Sequence, residues 1–346
     1  MTDDALSAHV RELHRQAFTI DAHFDLAYDV ANRRDRGQEA VIETCHLDGF
    51  RAGGFNLIVS SIYINDYFLP EMGLRKALDQ ISYLYAEIDA LPGALRLCRN
   101  FQDLLESREQ NQIGILLSFE GADPIQNDIN LLRIFYELGV RGVGLTWSRR
   151  NHVADGAPFK AESGGQPGGL TPFGRDLLQA AEALNMFIDV SHLNTAGFWD
   201  VMEFSRQPVI ASHSNCHSLK ETPRNLTDAQ IKAIAAKDGV IGMNVLNIFI
   251  GDEGPGKGRL GPDDLVDHID HIVRLVGVRH VGLGFDLCDD LGNYLQMPSY
   301  LESYDVIAGH RNLHQLTRAL IRRGYTDADI LLILGGNFLR FFKQVL

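Results

Sequence analysis

The chain of 346 residues is short of several features that mark specialised classes of protein. It has four cysteines, Cys45, Cys98, Cys216 and Cys288, widely spaced and without a CxxC pair. Neither a disulfide framework nor a zinc ribbon is expected from that pattern. No apolar run reaches about 18 residues, which argues against a transmembrane helix. Basic charge is also in deficit, with 32 Lys and Arg against 45 Asp and Glu and a net charge of −13. The basic stripe that phosphate binding requires is therefore missing. The first residues, MTDDALSAHV, carry acids where a secretory signal has a basic region and an apolar core. Together these shortages predict a cytoplasmic protein with reduced thiols and with neither nucleic acid nor a membrane as partner.

What is present suits a globular enzyme: 45% hydrophobic and 22% charged residues. Eight short apolar runs, rich in Ile, Val and Leu, read as strands buried on both faces. They are Phe18–Ile20 extending toward Asp25, Phe55–Ile64, Ile113–Phe119, Val140–Thr146, Phe187–Val190, Pro208–Ser212, Val240–Val245 and His280–Phe285. Helical patterns lie between them over Gly73–Ala90, Asn127–Leu138, Thr171–Leu184, Thr195–Phe204, Thr227–Ala236 and Pro262–Leu275. Thr171-Pro172 and Thr227-Asp228 have the cap residue and early-turn partner of a helix start. Eight β/α units predict an α/β fold, a (β/α)8 TIM-type barrel. No GxGxxG follows the first strand, so a dinucleotide-binding sheet is disfavoured. One domain is expected over 1–346, with loop excursions at 65–112 and at the Gly- and Pro-rich stretch 151–170.

The residues that end the strands carry the chemical signal. The first runs into Asp21-Ala22-His23-Phe24-Asp25, the third ends at Glu120, and the fifth and sixth end at His192 and His213. The eighth ends at Gly284-Phe285-Asp286. In a parallel barrel all these ends meet at one mouth, where barrel active sites lie. The HxD pair His23 and Asp25 is expected on one strand face, because the side-chain period of a strand is two. Imidazoles mixed with carboxylates suit zinc or a similar divalent ion. Six such groups exceed one tetrahedral site and suit two ions bridged by a carboxylate.

With those residues in view, the chain resembles the membrane (renal) dipeptidase family of zinc peptidases, in its soluble bacterial form. The resemblance runs through TIDAHFDL at 19–26, HLDGFRAGGFNLIVSSIY at 46–63, LLSFEGA at 116–122, RGVGLTW at 141–147, IDVSHLN at 188–194, PVIASHSN at 208–215, PRNLTD at 223–228, HVGLGFD at 280–286 and GGNFLRFF at 335–342. It implies His23 and Asp25 as ligands of a first zinc, Glu120 as the bridge, and His192 and His213 as ligands of a second. It implies Arg224 as the grip on a substrate's C-terminal carboxylate, and Asp286 as the acid that takes a proton from a bridging hydroxide nucleophile and gives it to the leaving amine. The implied reaction is hydrolysis of a dipeptide with a free C-terminus, including one with a D-residue there. The implied assembly is a homodimer.

Three places depart from the family pattern: Trp147, Cys288, and Asn244-Val245-Leu246 at the end of the seventh strand, where relatives often have Asn-Phe-Tyr. Trp147 stands where members resembling the mammalian enzyme carry a histidine that polarises the substrate carbonyl. Bacterial relatives often lack it too, and an indole can offer only an N–H. His152, in the following loop, is the candidate to replace that histidine. Cys288 stands where relatives have a second acid, and is read as a pocket-wall residue without a base to make it a nucleophile. His310 and His314, spaced i, i+4, are read as a solvated helical pair. Two rival functions remain in view. One is another barrel amidohydrolase acting on an acylated amino acid or a cyclic amide, disfavoured by HxD where such enzymes use HxH. The other is a metal-containing binding protein without turnover.

Overall fold

The computed structural model describes residues 2–159, 167–253, 258–289, 291 and 303–346. Part of the 151–170 excursion, residues 160–166, lies outside the described residues. All eight expected strands form, and a ninth joins them: β1 Thr19–Phe24, β2 Phe55–Tyr63, β3 Leu95–Cys98, β4 Ile113–Glu120, β5 Val140–Gly144, β6 Phe187–Asp189, β7 Val209–Ala211, β8 Val240–Met243 and β9 Val281–Leu283. The strand ladders are parallel and run in the order β1-β2-β4-β5-β6-β7-β8-β9. Beyond β9 the chain returns to β1, where the Asp286 N–H donates to the His23 carbonyl at 3.1 Å. This is a nearly closed (β/α)8 barrel. The extra strand, β3, comes from the 65–112 excursion, which also carries helices Gly73–Ala90 and Phe101–Glu109. β3 pairs with the first half of β4 through Leu95–Ile113, and β5 pairs with the second half. LRLC is too short and too weakly apolar to stand out as a strand in sequence.

The predicted helix starts hold. Thr171 accepts from the Gly174 N–H at 3.0 Å, and Thr227 forms a reciprocal capping box with Gln230. Helices Asp3–Gln16, Leu26–Arg34, Leu313–Arg323 and Asn337–Val345 form as well, beyond those expected. The last one packs Phe338, Phe341 and Phe342 with Ile20, Leu57, Phe187 and Val240, closing the end of the barrel opposite the mouth.

Side-chain parity decides what faces the barrel interior. Leu57, Val59, Leu116 and Ile210 point inward, as do Ile20 and Ala22 of β1. Strict alternation would then turn His23 outward. It does not, because between Asp21 and Phe24 the register slips: Asp21 faces Ile58 while Phe24 faces Ser60. Three steps on β1 thus match two on β2, a bulge that re-aims the strand end. Asp25 lies past the strand, at the start of helix Leu26–Arg34. The two HxD side chains meet through a bulge and a helix start, where strand periodicity alone was expected to align them.

Glycine keeps the interior open beneath the mouth. A Cβ at Gly242 would sit 1.9 Å from the Ser212 carbonyl oxygen, and one at Gly284 would sit 1.6 Å from it. Ser212 borders the candidate ligand His213, so these glycines set where β7 ends. Gly284→Ala is expected to cost about 3 kcal/mol by overpacking, read from chemical denaturation. A loss under about 1 kcal/mol would contradict the close approach.

Candidate active site

Five strand ends deliver the site. His23, Glu120, His192, His213 and Asp286 are buried or nearly so, with Asp25 beside them. The His192 and His213 Nε2 atoms lie 3.0 and 3.8 Å from Glu120 Oε1, and His23 Nε2 lies 3.6 Å from the same oxygen. His23 Nε2 is also 3.8 Å from both Asp25 Oδ1 and Asp286 Oδ1. Two trios, His23/Asp25/Glu120 and Glu120/His192/His213, each keep one ligand atom per residue within 4.8 Å of the others. Glu120 belongs to both.

Two of the three imidazoles are held from behind with Nε2 facing inward. His192 Nδ1–H donates to Ser148 Oγ at 2.8 Å, and His213 Nδ1–H to Ser212 Oγ at 2.7 Å. Ser212 donates in turn to the buried Asp189 carboxylate. The Nε2 atoms of His23, His192 and His213 are buried and have no hydrogen-bond partner. Three buried, unpartnered ring nitrogens aimed at one carboxylate are costly unless something binds them. Burial pushes the His23 imidazole down to about 3, and pushes His192 and His213 well below the usual range. All three are therefore neutral, the form that binds a metal. Burial has the opposite effect on the acids: it lifts Asp25 to about 6 and holds Glu120 and Asp286 well above ordinary carboxylates. The donor set and the neutral imidazoles fit a divalent metal, whose charge would hold the carboxylates ionised.

His192 and Asp286 adopt left-handed backbone, with φ of 65° and 53°. Such conformations carry strain and concentrate at functional positions. Asn244 Nδ2–H donates to Asp286 Oδ2 at 2.8 Å, and Ser61 donates to Asp25. These orienting partners, Ser61, Ser148, Asp189, Ser212 and Asn244, escaped the sequence reading. Only Ser212, by its place next to the candidate ligand His213, and Asn244, by its place at the end of the seventh expected strand, could have been marked in sequence.

The mouth opens into a cavity of about 290 Å³, lined by Asp25, Glu120, His192 and Asp286 with Tyr28, Tyr63, Asn65, Asp66, Trp147, Phe159, Leu246, Phe249 and Cys288. Trp147 stacks on His192 at 5.8 Å and an interplanar angle of 29°. Arg224 is buried, its guanidinium 5.6 Å from the Phe249 ring and its Nε unpartnered. Burial lowers its pKa only to about 10, so it keeps its charge. Cys288 lines the cavity as expected, its thiol pushed well up by burial and by Asp286. His152 does not reach the cavity: its side chain is exposed, and its carbonyl accepts from Thr171. His310 corrects another expectation. It is buried at 4% exposure, and its Nε2–H donates to Asp21 Oδ2 at 2.8 Å.

A parallel barrel with neutral imidazoles and buried carboxylates at its mouth is the architecture of a metal-dependent hydrolase. The family model of membrane dipeptidase, peptidase family M19, matches residues 7–346, and the chain belongs to that family. It is accordingly a metallopeptidase of dipeptidase type. It is 34% identical over 272 residues to an uncharacterized Klebsiella pneumoniae protein in the pqqA 5′ region, covering 77% of this chain and 94% of that one. An uncharacterized dipeptidase of Schizosaccharomyces pombe is 28% identical, over 96% of this chain and 82% of its own. A Rhodobacter sphaeroides metallopeptidase, crystallised with a phosphinate mimic of the dipeptide L-Ala-D-Ala, superposes with a TM-score of 0.83 at 26% identity. That match covers 95% of this chain and 99% of the other. Among the described residues no helix is long and apolar enough to cross a membrane.

The raised carboxylate pKa values give the metal a pH signature. Folded Asp25 keeps its proton up to about 6, whereas the unfolded chain releases it at an ordinary carboxylate pKa. A divalent ion must displace that proton, while the histidines are already deprotonated there. The rise in melting temperature on adding the ion to chelator-stripped protein is therefore expected to be small near pH 5 and to grow as pH passes 6. A rise that stays constant or shrinks would contradict it.

Proposed function

We propose that the chain is a binuclear zinc dipeptidase that cleaves dipeptides with a free C-terminal carboxylate and accepts a D-residue at that position. The observation that carries this reading is the pair of ligand trios sharing Glu120. His23 and Asp25 would hold one ion and His192 and His213 the other, with Glu120 shared by the two sets. Charge balance supports two ions. Three buried carboxylates, Asp25, Glu120 and Asp286, are neutralised by two divalent ions and one hydroxide. That leaves the Arg224 charge for the substrate. Bound there, the ions would polarise the scissile carbonyl and supply a bridging hydroxide as nucleophile at neutral pH.

The chain's own groups do the rest. Arg224 offers a planar two-point grip on the substrate carboxylate and selects for a peptide that ends there. Asp286, held on Asn244 with a raised pKa, takes the proton released in the attack and passes it to the departing amine. The aromatic wall of Tyr63, Trp147, Phe159 and Phe249 excludes water and cradles the substrate's apolar surface. Trp147 serves as wall and not as proton carrier. The dipeptide mimic with a D-residue bound by the Rhodobacter relative supports acceptance of that configuration.

Elemental analysis is expected to find close to two zinc ions per chain, alongside turnover of L-Xaa-D-Xaa and L-Xaa-L-Xaa dipeptides. Glu120→Gln is expected to lose most of the metal and most of the activity together, and a fully active variant would sink the assignment. Arg224→Met is expected to lower kcat/KM on free dipeptides by the equivalent of about 2–5 kcal/mol. It should leave turnover of C-terminally amidated dipeptides, already poor, unchanged. Wild-type turnover of the amide at the rate of the free acid would remove the role from Arg224.

A further inference from the structure

We propose that Asp21 and His310, outside the substrate cavity, form a positioning pair that fixes the His23/Asp25 ion position selectively. This rests on the two-ion reading. Asp21 is fully buried, and its carboxylate is used on three sides. Oδ1 accepts from the His23 N–H at 3.2 Å and from the Phe285 N–H at 2.9 Å, and Oδ2 accepts from His310 Nε2–H at 2.8 Å. One side chain thus ties the backbone of a metal ligand to the residue before Asp286. It does so at the seam between β1 and β9, which form no strand ladder with each other among the described residues.

The seam also contains the β1 bulge. Asp21 precedes the extra residue, and its bond to the His23 N–H holds the turned backbone that aims His23 inward. His310 is itself held rigidly. Its ring lies 4.9, 4.8 and 4.9 Å from those of Phe24, Phe50 and Phe55, all at steep angles. A Cβ on Gly53 would fall 2.3 Å from the His310 carbonyl oxygen, so helix Leu47–Gly53 packs directly on its backbone. The pair is therefore a stiff strut behind β1, reaching His23 through its own N–H and Asp286 through that of its neighbour Phe285. His192, by contrast, is oriented by Ser148 on the opposite side of the barrel. A strut that served only general stability would affect both ion positions alike. This one acts on His23.

The test titrates chelator-stripped protein with zinc against a competing chelator and resolves two dissociation constants. Asp21→Ala is expected to weaken one constant about 10–100-fold, as loss of a ligand's orienting partner does, and to leave the other within about threefold. Ser148→Ala should weaken the other constant instead. Asp21→Asn, whose side-chain oxygen can still accept from both N–H groups, should recover most of the lost affinity. Should Asp21→Ala fail to fold, His310→Ala carries the test and is expected to weaken the same constant about tenfold. Unchanged constants, equal weakening of both, or the same constant shifting in the Asp21 and Ser148 variants would overturn the proposal. A wild-type chain binding one zinc would overturn the two-ion reading, a failure distinct from any of these.

Discussion

Glu120 stands buried at the centre of the mouth, faced by three imidazole nitrogens that have no other partner. A carboxylate and three lone pairs so enclosed repel one another and lack solvation. Much of the surrounding architecture serves to hold them there. Ser148 and Ser212 fix the tautomers from behind, Asp189 anchors Ser212, and Asn244 restrains Asp286. The strained backbone of His192 and Asp286 is sustained by the same packing. A divalent metal bound there would turn this unfavourable cluster into a favourable one.

The barrel makes room for that polar layer by removing side chains beneath it. Gly242 and Gly284 let two strands approach the Ser212 carbonyl more closely than a Cβ allows. At the other end, Phe187 and the aromatic face of Asn337–Val345 fill the interior. The interior is thus packed with apolar groups at the floor and with dipoles and ligands at the mouth. That gradient gives the barrel low-dielectric walls around its reactive end, which strengthens every charge interaction there.

Around the ligands, the cavity wall is more aromatic than a metal centre requires. Trp147 covers one face of His192, and Arg149 lies 5.1 Å from the indole while paired to Asp66 at 2.6 Å and Asp123 at 3.3 Å. This network ties the segments after β2, β4 and β5 into one wall. Trp147 and Cys288 belong to this wall, beside the cluster around Glu120.

How much was legible in sequence follows from the range of the forces involved. Buried strands announce themselves by apolar runs and helix starts by their caps, so eight strands and the barrel were readable, as were the ligand types at the strand ends. β3 was not, because four residues, two buried and two half-buried, carry no period. His310 was misjudged because helical spacing says nothing about what lies on the other side of a strand. The His23 and Asp25 alignment was expected for the wrong reason: alternation predicts one face, but register against β2 inserts a bulge. Local sequence determined which groups could do chemistry and the order in which the barrel presents them. Only the tertiary structure decided which way each one points, because bulges, close glycine contacts and second partners such as Asp21 and Ser212 arise between segments far apart in the chain.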